Sequence, residues 1–326
     1  MKEPAMFLNT HFPKAEKYWY QGKFYDWSAA DFHPMMHALH YGTCVFEGIR
    51  AYKTDKGPAI FRLPEHTDRF LLSAGVIKMK VPYTKDEIDE AVKSTVRVNG
   101  LDSCYIRPLL FYSYGNLGLV PKACPVEMAV SAWEWAAYLG ENAARGVNAL
   151  IVPWRRVHHT QFNMSAKLGG VYVQSTICGM EAREQGFDEA IFLNMEGRVA
   201  EGPGQNVFVV KGDTLVTNGR TESALEGITR TSILEIGAGL GYKTTVGPIS
   251  KDDLFGADEA FYCGTAVEVI PIVAVTDGSV PAGPRTAHTI GTGKPGPVVQ
   301  RLIKAFADAV GGRDPRYEKW LTYVGK

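Results

Sequence analysis

At 326 residues, with 45% apolar and 21% charged residues, the chain has material for two domains and lacks the composition of a disordered or fibrous protein. Its 35 basic and 35 acidic side chains cancel to a formal net charge of zero, which argues against a nucleic-acid partner and for a small molecule. Five scattered cysteines without a C-x-x-C pair argue against a zinc or disulfide scaffold, and no run approaches the roughly eighteen apolar residues of a membrane span.

The first twenty residues carry Lys2, Glu3, Lys14, Glu16 and Lys17 and no apolar h-region, so the expectation is a cytoplasmic protein. Residues 17–27 alternate aromatic and polar side chains about Gly22, the pattern of a β-hairpin. Strands are expected at 44–52 and 59–63, and a helix begins at Pro64-Glu65-His66 and runs towards Val76. Thr84 with Glu87 forms a capping box, Ile88, Ala91, Val92 and Val96 space one apolar face, and Asn99-Gly100 ends that helix. Residues 105–112 and 126–133 read as buried strands. Across 134–145 the strand pattern breaks, which places an N-terminal domain at 1–137, a linker at 138–145 and a second domain at 146–326.

A strand resumes at 146–152. Helical spacing of Val173, Ile177 and Met180 predicts a helix over 171–185 ending before Gly186. Hairpins are expected at 190–200 about Met195-Glu196-Gly197 and at 207–217 about Lys211-Gly212-Asp213, with a further strand at 259–263. Helices follow at 229–239 and 297–310, the latter with Val298, Leu302, Ile303 and Phe306 on one side.

Chemistry concentrates in two segments. Lys167 lies in Ser165-Ala166-Lys167-Leu168-Gly169-Gly170-Val171-Tyr172, and Glu201 opens the turn Glu201-Gly202-Pro203-Gly204-Gln205-Asn206. A desolvated or electropositive pocket makes a lysine amine neutral and able to condense with an aldehyde, while a carboxylate can keep a pyridine nitrogen protonated. Those are the demands of pyridoxal phosphate on a protein. A phosphate favours unpaired N–H groups at a helix start, for which Gly227-Ile228-Thr229 and Gly264-Thr265-Ala266 are candidates, with Arg69 as a charge partner. Each feature alone has a plainer reading: a surface lysine, a capped turn, an ordinary helix start, a solvated arginine. Nucleotide motifs fail, because Gly202-Pro203-Gly204 lacks the third glycine and Gly293-Lys294 is followed by Pro295. His158-His159 is not expected to bind metal, since adjacent strand residues face opposite ways and no acidic or thiol ligand is near.

Taken in order, seven pieces resemble the branched-chain amino-acid aminotransferases of the class IV pyridoxal-phosphate family. They are Leu39 to Tyr52, Glu65-His66-Thr67-Asp68-Arg69, Tyr105-Ile106-Arg107-Pro108, Ala166 to Tyr172, Glu201 to Asn206, Gly227-Ile228-Thr229-Arg230, and Gly264-Thr265-Ala266-Val267-Glu268. The resemblance implies a two-domain α+β fold of pyridoxal-phosphate fold type IV, with a smaller N-terminal α/β domain, a larger C-terminal domain with a β-barrel-like core, and the cofactor between them. Lys167 resembles the Schiff-base lysine, Glu201 the partner of the pyridine nitrogen and Tyr172 the phenol at the ring oxygen. Arg69, Gly227, Ile228, Thr229 and Thr265 resemble the phosphate cup. The resemblance further implies substrate contacts from Phe46, Tyr41, Trp135, Tyr138, Thr265, Ala266, Tyr105 and Arg107, and from Leu117 in a loop that serves the neighbouring subunit of a homodimer or higher homo-oligomer. The implied reaction exchanges an amino group between branched-chain L-amino acids and 2-oxoglutarate. An (R)-selective amine transaminase, a D-amino-acid transaminase and an aminodeoxychorismate lyase share the same chemistry and stay open here, as does a non-catalytic relative. Val171 before Tyr172, His158-His159-Thr160-Gln161 and the loop Gly115-Asn116-Leu117-Gly118-Leu119 depart from the family pattern and bear on donor preference.

Overall fold

The computed structural model describes residues 12–29, 32–135, 145–280, 283 and 285–325. They divide into two compact units, the first drawn from Met1–Ala136, Ala166–Gly170 and Ala309–Lys326 and the second from Ala137–Ser165 and Val171–Asp308. Of the expected linker 138–145, all but Arg145 lies outside the described residues. The expected second domain, 146–326, is not one packing unit. Lys167 donates its backbone N–H to Ser73 Oγ (2.9 Å) and accepts from Phe46 N (3.3 Å), which ties its segment to the first unit. The last strand, Leu321–Tyr323, pairs with residues 59–61 there.

Every pairing in the first unit's sheet is antiparallel. Strands β1 (Lys17–Tyr20) and β2 (Lys23–Asp26) form the expected hairpin. Its two turn residues, Gln21 and Gly22, both have positive φ (49° and 86°), the twist that a two-residue hairpin loop needs. After α1 (His37–Tyr41) come β3 (Cys44–Phe46), β4 (Ile49–Thr54) and β5 (Gly57–Phe61), then α2 (Leu63–Val76), α3 (Lys85–Val98), β6 (Cys104–Tyr112) and β7 (Val126–Trp133). The order is Leu321–Tyr323, β5, β4, β6, β7, β1, β2, with β3 also on β6. The single strand expected at 44–52 is therefore two. It breaks at Glu47-Gly48, where Glu47 N–H donates to the carbonyl of Pro108 (3.0 Å) and a Cβ on Gly48 would lie 2.0 Å from Tyr105 Oη. The capping box at Thr84 and Glu87 forms as expected, and Ile88, Ala91, Val92 and Val96 are buried.

The second unit holds β8 (Val147–Arg155), α4 (Tyr172–Glu184), β9 (Glu189–Leu193), β10 (Asn206–Lys211), β11 (Thr214–Thr217), α5 (Ile228–Gly239), β12 (Lys243–Val246), α6 (Lys251–Phe255), β13 (Glu259–Gly264), β14 (Glu268–Asp277) and β15 (Thr286–Thr289). Its sheet runs β12, β11, β10, β13, β14, β8, β9, with β15 on β14, and is parallel at β11–β12, β14–β8 and β8–β9. The hairpin expected at 190–200 pairs β9 with a short return arm through the bridge Leu193 to Val199 and the bonds Phe192 N to Glu201 O (2.8 Å), Ala200 N to Phe192 O (2.9 Å) and Asn194 N to Arg198 O (2.8 Å). Helix α4 is where it was expected but faces the other way. Val173, Ile177 and Met180 are exposed, while Ser175, Cys178 and Ala182 are buried, Cys178 and Ala182 packing with Leu150, Val152, Ala190 and Phe192. Small residues let the helix approach the sheet closely, and the larger apolar ones are left outside.

The α-helix α7 (Pro297–Val310) buries Leu302 and Phe306 as expected and half-buries Ile303, while at its start Val299 is buried and the expected Val298 is only half-buried. Its first turn is held from below. Glu259, on β13, accepts from Val298 N (2.9 Å) and Val299 N (2.8 Å) through its two carboxylate oxygens. Glu259→Ala is expected to remove both charge-assisted bonds and to cost about 1–2 kcal/mol. A thermal melt reads this directly, as a fall of about 2–6 °C.

Candidate active site

The first unit brings Lys167, Phe46, Arg107, Tyr105 and Trp135 into one cluster. Lys167 is half-buried and its Nζ stands 4.9 Å from the centroid of the Phe46 ring. The Arg107 guanidinium carbon lies 4.8 Å from the same ring, and Arg107 Nη2 donates to Tyr105 Oη (3.1 Å). Tyr105 stacks on Trp135, with centroids 4.8 Å apart. Gly48 is obligatory here because Tyr105 Oη occupies the place of its missing side chain. Close backbone approach likewise explains Gly169: a Cβ there would meet Cys44 Sγ at 2.3 Å. Tyr41 and Leu117 form a separate exposed pair, Tyr41 Oη donating to the Leu117 carbonyl (3.0 Å). Tyr138 lies outside the described residues.

Arg69, on α2, meets a carboxylate that sequence reasoning passed over. Its Nε and Nη2 donate to the two oxygens of Glu47, each at 2.7 Å, and His66 Nδ1 bonds Glu47 Oε2 at 2.7 Å. Glu47 and His66 are fully buried. Burial alone would push the Glu47 carboxyl up, but Arg69 and then His66 hold it well below the usual carboxylate range. Burial also lowers the pKa of His66, more than Glu47 raises it, so the ring is neutral beside an ionised Glu47–Arg69 pair. The signal present in the sequence was Glu47, an ionisable residue inside the otherwise apolar stretch Cys44 to Ile49.

In the second unit Glu201 is buried at 5% exposure. Its Oε1 accepts from Arg156 Nε (2.8 Å) and its Oε2 from Leu225 N (2.9 Å). Leu225 belongs to the loop that leads into α5. Gly227 is the N-cap of that helix and no side chain caps it, unlike the helices that start at Thr84 and Ser250. A Cβ at Gly227 would meet Asn206 Oδ1 at 2.2 Å. Ile228 is half-buried and Thr229 buried, and beside them two buried polar atoms, Ser223 Oγ and Arg230 Nη2, have no hydrogen-bond partner. Tyr172 is half-buried at the first position of α4. Thr265 and Ala266 are half-buried in the turn joining β13 to β14, so that turn is not the helix start its glycine suggested.

His158 and His159 follow β8 instead of lying on it, and their ring centroids lie 4.1 Å apart with the planes tilted by 42°, contrary to the expectation that they point apart. Among the described residues no group of three or more His, Cys, Asp or Glu side chains is arranged to hold a metal ion. Cys44, Cys104, Cys124, Cys178 and Cys263 are free thiols. No described helix is long and apolar enough to cross a membrane.

The first unit thus holds a half-buried lysine against an aromatic ring, and the second, taken by itself, a buried carboxylate paired with an arginine and a helix start that no side chain caps. The family model for class IV amino-transferases matches residues 44–275, and the chain belongs to that family. It is 42% identical to the branched-chain-amino-acid aminotransferase of Pseudomonas aeruginosa over 94% of this chain and 96% of that one. Against the enzyme of the same name from Escherichia coli K12 the identity is 39%, covering 96% and 99%. Among solved structures, the T.th. branched-chain amino acid aminotransferase complexed with N-(5'-phosphopyridoxyl)-L-glutamate superposes with a TM-score of 0.88 at 44% identity, over 96% of this chain and all of that one. The Escherichia coli enzyme gives 0.89 at 38%, over 95% and 100%.

Proposed function

We propose that this chain is a pyridoxal-phosphate-dependent transaminase that moves an amino group between branched-chain L-amino acids and 2-oxoglutarate. Near-complete coverage carries the reading, since relatives named for this activity align over 94–96% of the chain at 39–42% identity. The residues present suit the cofactor: Lys167 as the attachment amine, Glu201 opposite the ring nitrogen, Tyr172 at the ring oxygen, and Arg69, Gly227, Ile228, Thr229 and Thr265 for the phosphate. When bound, pyridoxal phosphate supplies an electron sink for the pair left at the substrate Cα after proton loss.

The chain's own residues do the rest. Lys167 Nζ, freed when the amino acid takes its place, would take the Cα proton as general base and hand it as general acid to the carbon that was the cofactor's aldehyde carbon, and in the 2-oxo acid half would carry a proton the opposite way, to the carbon that becomes the new amino acid's Cα. Glu201, ion-paired with Arg156, presents a carboxylate acceptor to the ring nitrogen, which favours the protonated ring. Phe46, Tyr41, Trp135 and Tyr138 supply apolar walls, Tyr105 and Arg107 the pair that admits the side chain of glutamate, and Thr265 and Ala266 the turn for the α-carboxylate. Leu117 serves the neighbouring subunit of a homodimer, and the exposure of Leu119 beside it, at 78%, supports a loop that meets a partner. The compartment is the cytoplasm.

A half-reaction assay with L-leucine, D-alanine and (R)-1-phenylethylamine tests the reading. Conversion of the cofactor band is expected with L-leucine, and silence there with response to either of the others would overturn it.

A further inference from the structure

Glu201 occupies an environment that would ordinarily keep a carboxyl neutral. Its side chain is 6% exposed, and an ionised carboxylate taken out of water without a cation would protonate instead. The cation beside it is Arg156, itself 3% exposed and 45 residues earlier in the chain. Arg156 is held from several sides. Its backbone N–H donates to the Leu193 carbonyl (2.8 Å), and its Nη1 donates to Ser175 Oγ (3.2 Å) and Gln174 Oε1 (3.3 Å). The guanidinium carbon sits 5.0 Å from the centroid of Phe192. Gln174 is pinned in turn, its Nε2 donating to the Arg155 carbonyl (2.7 Å) and its Oε1 accepting from Val157 N (3.2 Å).

An arginine braced in this way has one orientation, and it presents Nε to a single carboxylate oxygen while Leu225 N–H takes the other. We infer that Arg156 is a positioning residue that acts through Glu201, fixing the carboxylate in its ionised form and in one rotamer so that it meets the ring nitrogen as an acceptor. The inference rests on the reading of Glu201 as that nitrogen's partner. Arg156 touches neither substrate nor cofactor in this role. Its contribution is the charge and direction of Glu201, and a lysine, with a compact ammonium in place of a planar fork, reproduces the charge and only part of the direction.

The first arm uses the full chain without cofactor. Thermal melts of the parent, Arg156→Met, Glu201→Gln and the double variant form a cycle. Arg156→Met is expected to melt lower than the parent, and adding Glu201→Gln is expected to recover part of that loss by removing the stranded charge. A double variant that melts as low as the sum of the two single losses overturns the inference.

The second arm uses the holoenzyme. Loss of a group that orients a primary contact costs about 10–100-fold at metal sites, and a loss of that size is expected in the L-leucine half-reaction of Arg156→Met. The loss is expected to fall on the rate constant and to leave the concentration of L-leucine at half-saturation within about twofold, because the group acts in the transition state and not in substrate binding. Arg156→Lys is expected to lie between the two, and it decides the matter where Arg156→Met does not fold. If Glu201→Gln itself keeps the parental rate, the reading of Glu201 fails. If Glu201→Gln is impaired while Arg156→Met and Arg156→Lys match the parent, that reading stands and the role of Arg156 falls.

Discussion

Lys167→Ala lowers the L-leucine half-reaction by about 10⁴-fold or more while the protein stays folded. Removing a general base alone costs about 10²–10⁴, and under the proposed role of Lys167 the same substitution also takes away the attachment amine. The fold is expected to survive because Lys167 is half-buried and its segment is held by backbone bonds, Lys167 N to Ser73 Oγ and Phe46 N to Lys167 O, which alanine keeps. Stability should change by no more than about 1 kcal/mol, the range of a substitution that strands no buried group. Borohydride reduction of the holoenzyme should place a stable adduct on Lys167 by mass spectrometry, with none in the variant. Retention of more than about a hundredth of the parental rate in Lys167→Ala, or an adduct on another lysine, would mean that the proton is moved elsewhere.

Lys167 could be singled out from sequence because it stands beside Gly169, which has a physical reason to be glycine: a Cβ there would meet Cys44 Sγ at 2.3 Å. The capping box at Thr84 was legible for the same kind of local reason, since both partners lie within three residues. What escaped is non-local. Strand β12 is exposed along its length, with Lys243, Thr244 and Thr245 giving no apolar alternation, and it exists by pairing in parallel with β11. The outward face of α4 was unreadable because spacing shows that a helix has an apolar stripe and not which neighbour it meets. Arg156 and Glu47 went unremarked for a related reason. A buried charge shows itself by its partner, and those partners lie 45 and 22 residues away.

Glu47→Gln should produce the largest stability loss of any single change proposed for the first unit. Glu47 accepts from three donors, Arg69 Nε, Arg69 Nη2 and His66 Nδ1, and an amide has one acceptor oxygen to meet them while its NH₂ faces a donor. Breaking a buried pair from one side leaves the other charge without its partner and costs about 3–5 kcal/mol. Acid should narrow the gap between parent and variant. In the parent the folded-state pKa of Glu47 lies well below its unfolded value of about 4.3, so its stabilisation is complete above that value and drains away as pH falls towards the folded pKa. The neutral, buried His66 acts with the same sign in each protein, because the unfolded chain takes up a proton below about pH 6.5 and the folded one resists it; losing Glu47, which raises the His66 pKa, makes the variant's ring resist more and offsets part of the narrowing. Denaturant unfolding at about pH 7 and about pH 3 should therefore show a gap about 1–2 kcal/mol smaller at the lower pH. An equal gap at both would mean that Glu47 is not the ionised member of the cluster. A Glu47→Gln protein as stable as the parent at neutral pH would mean that Arg69 and His66 do not depend on it, and the orientation of Arg69 for a phosphate would need another source.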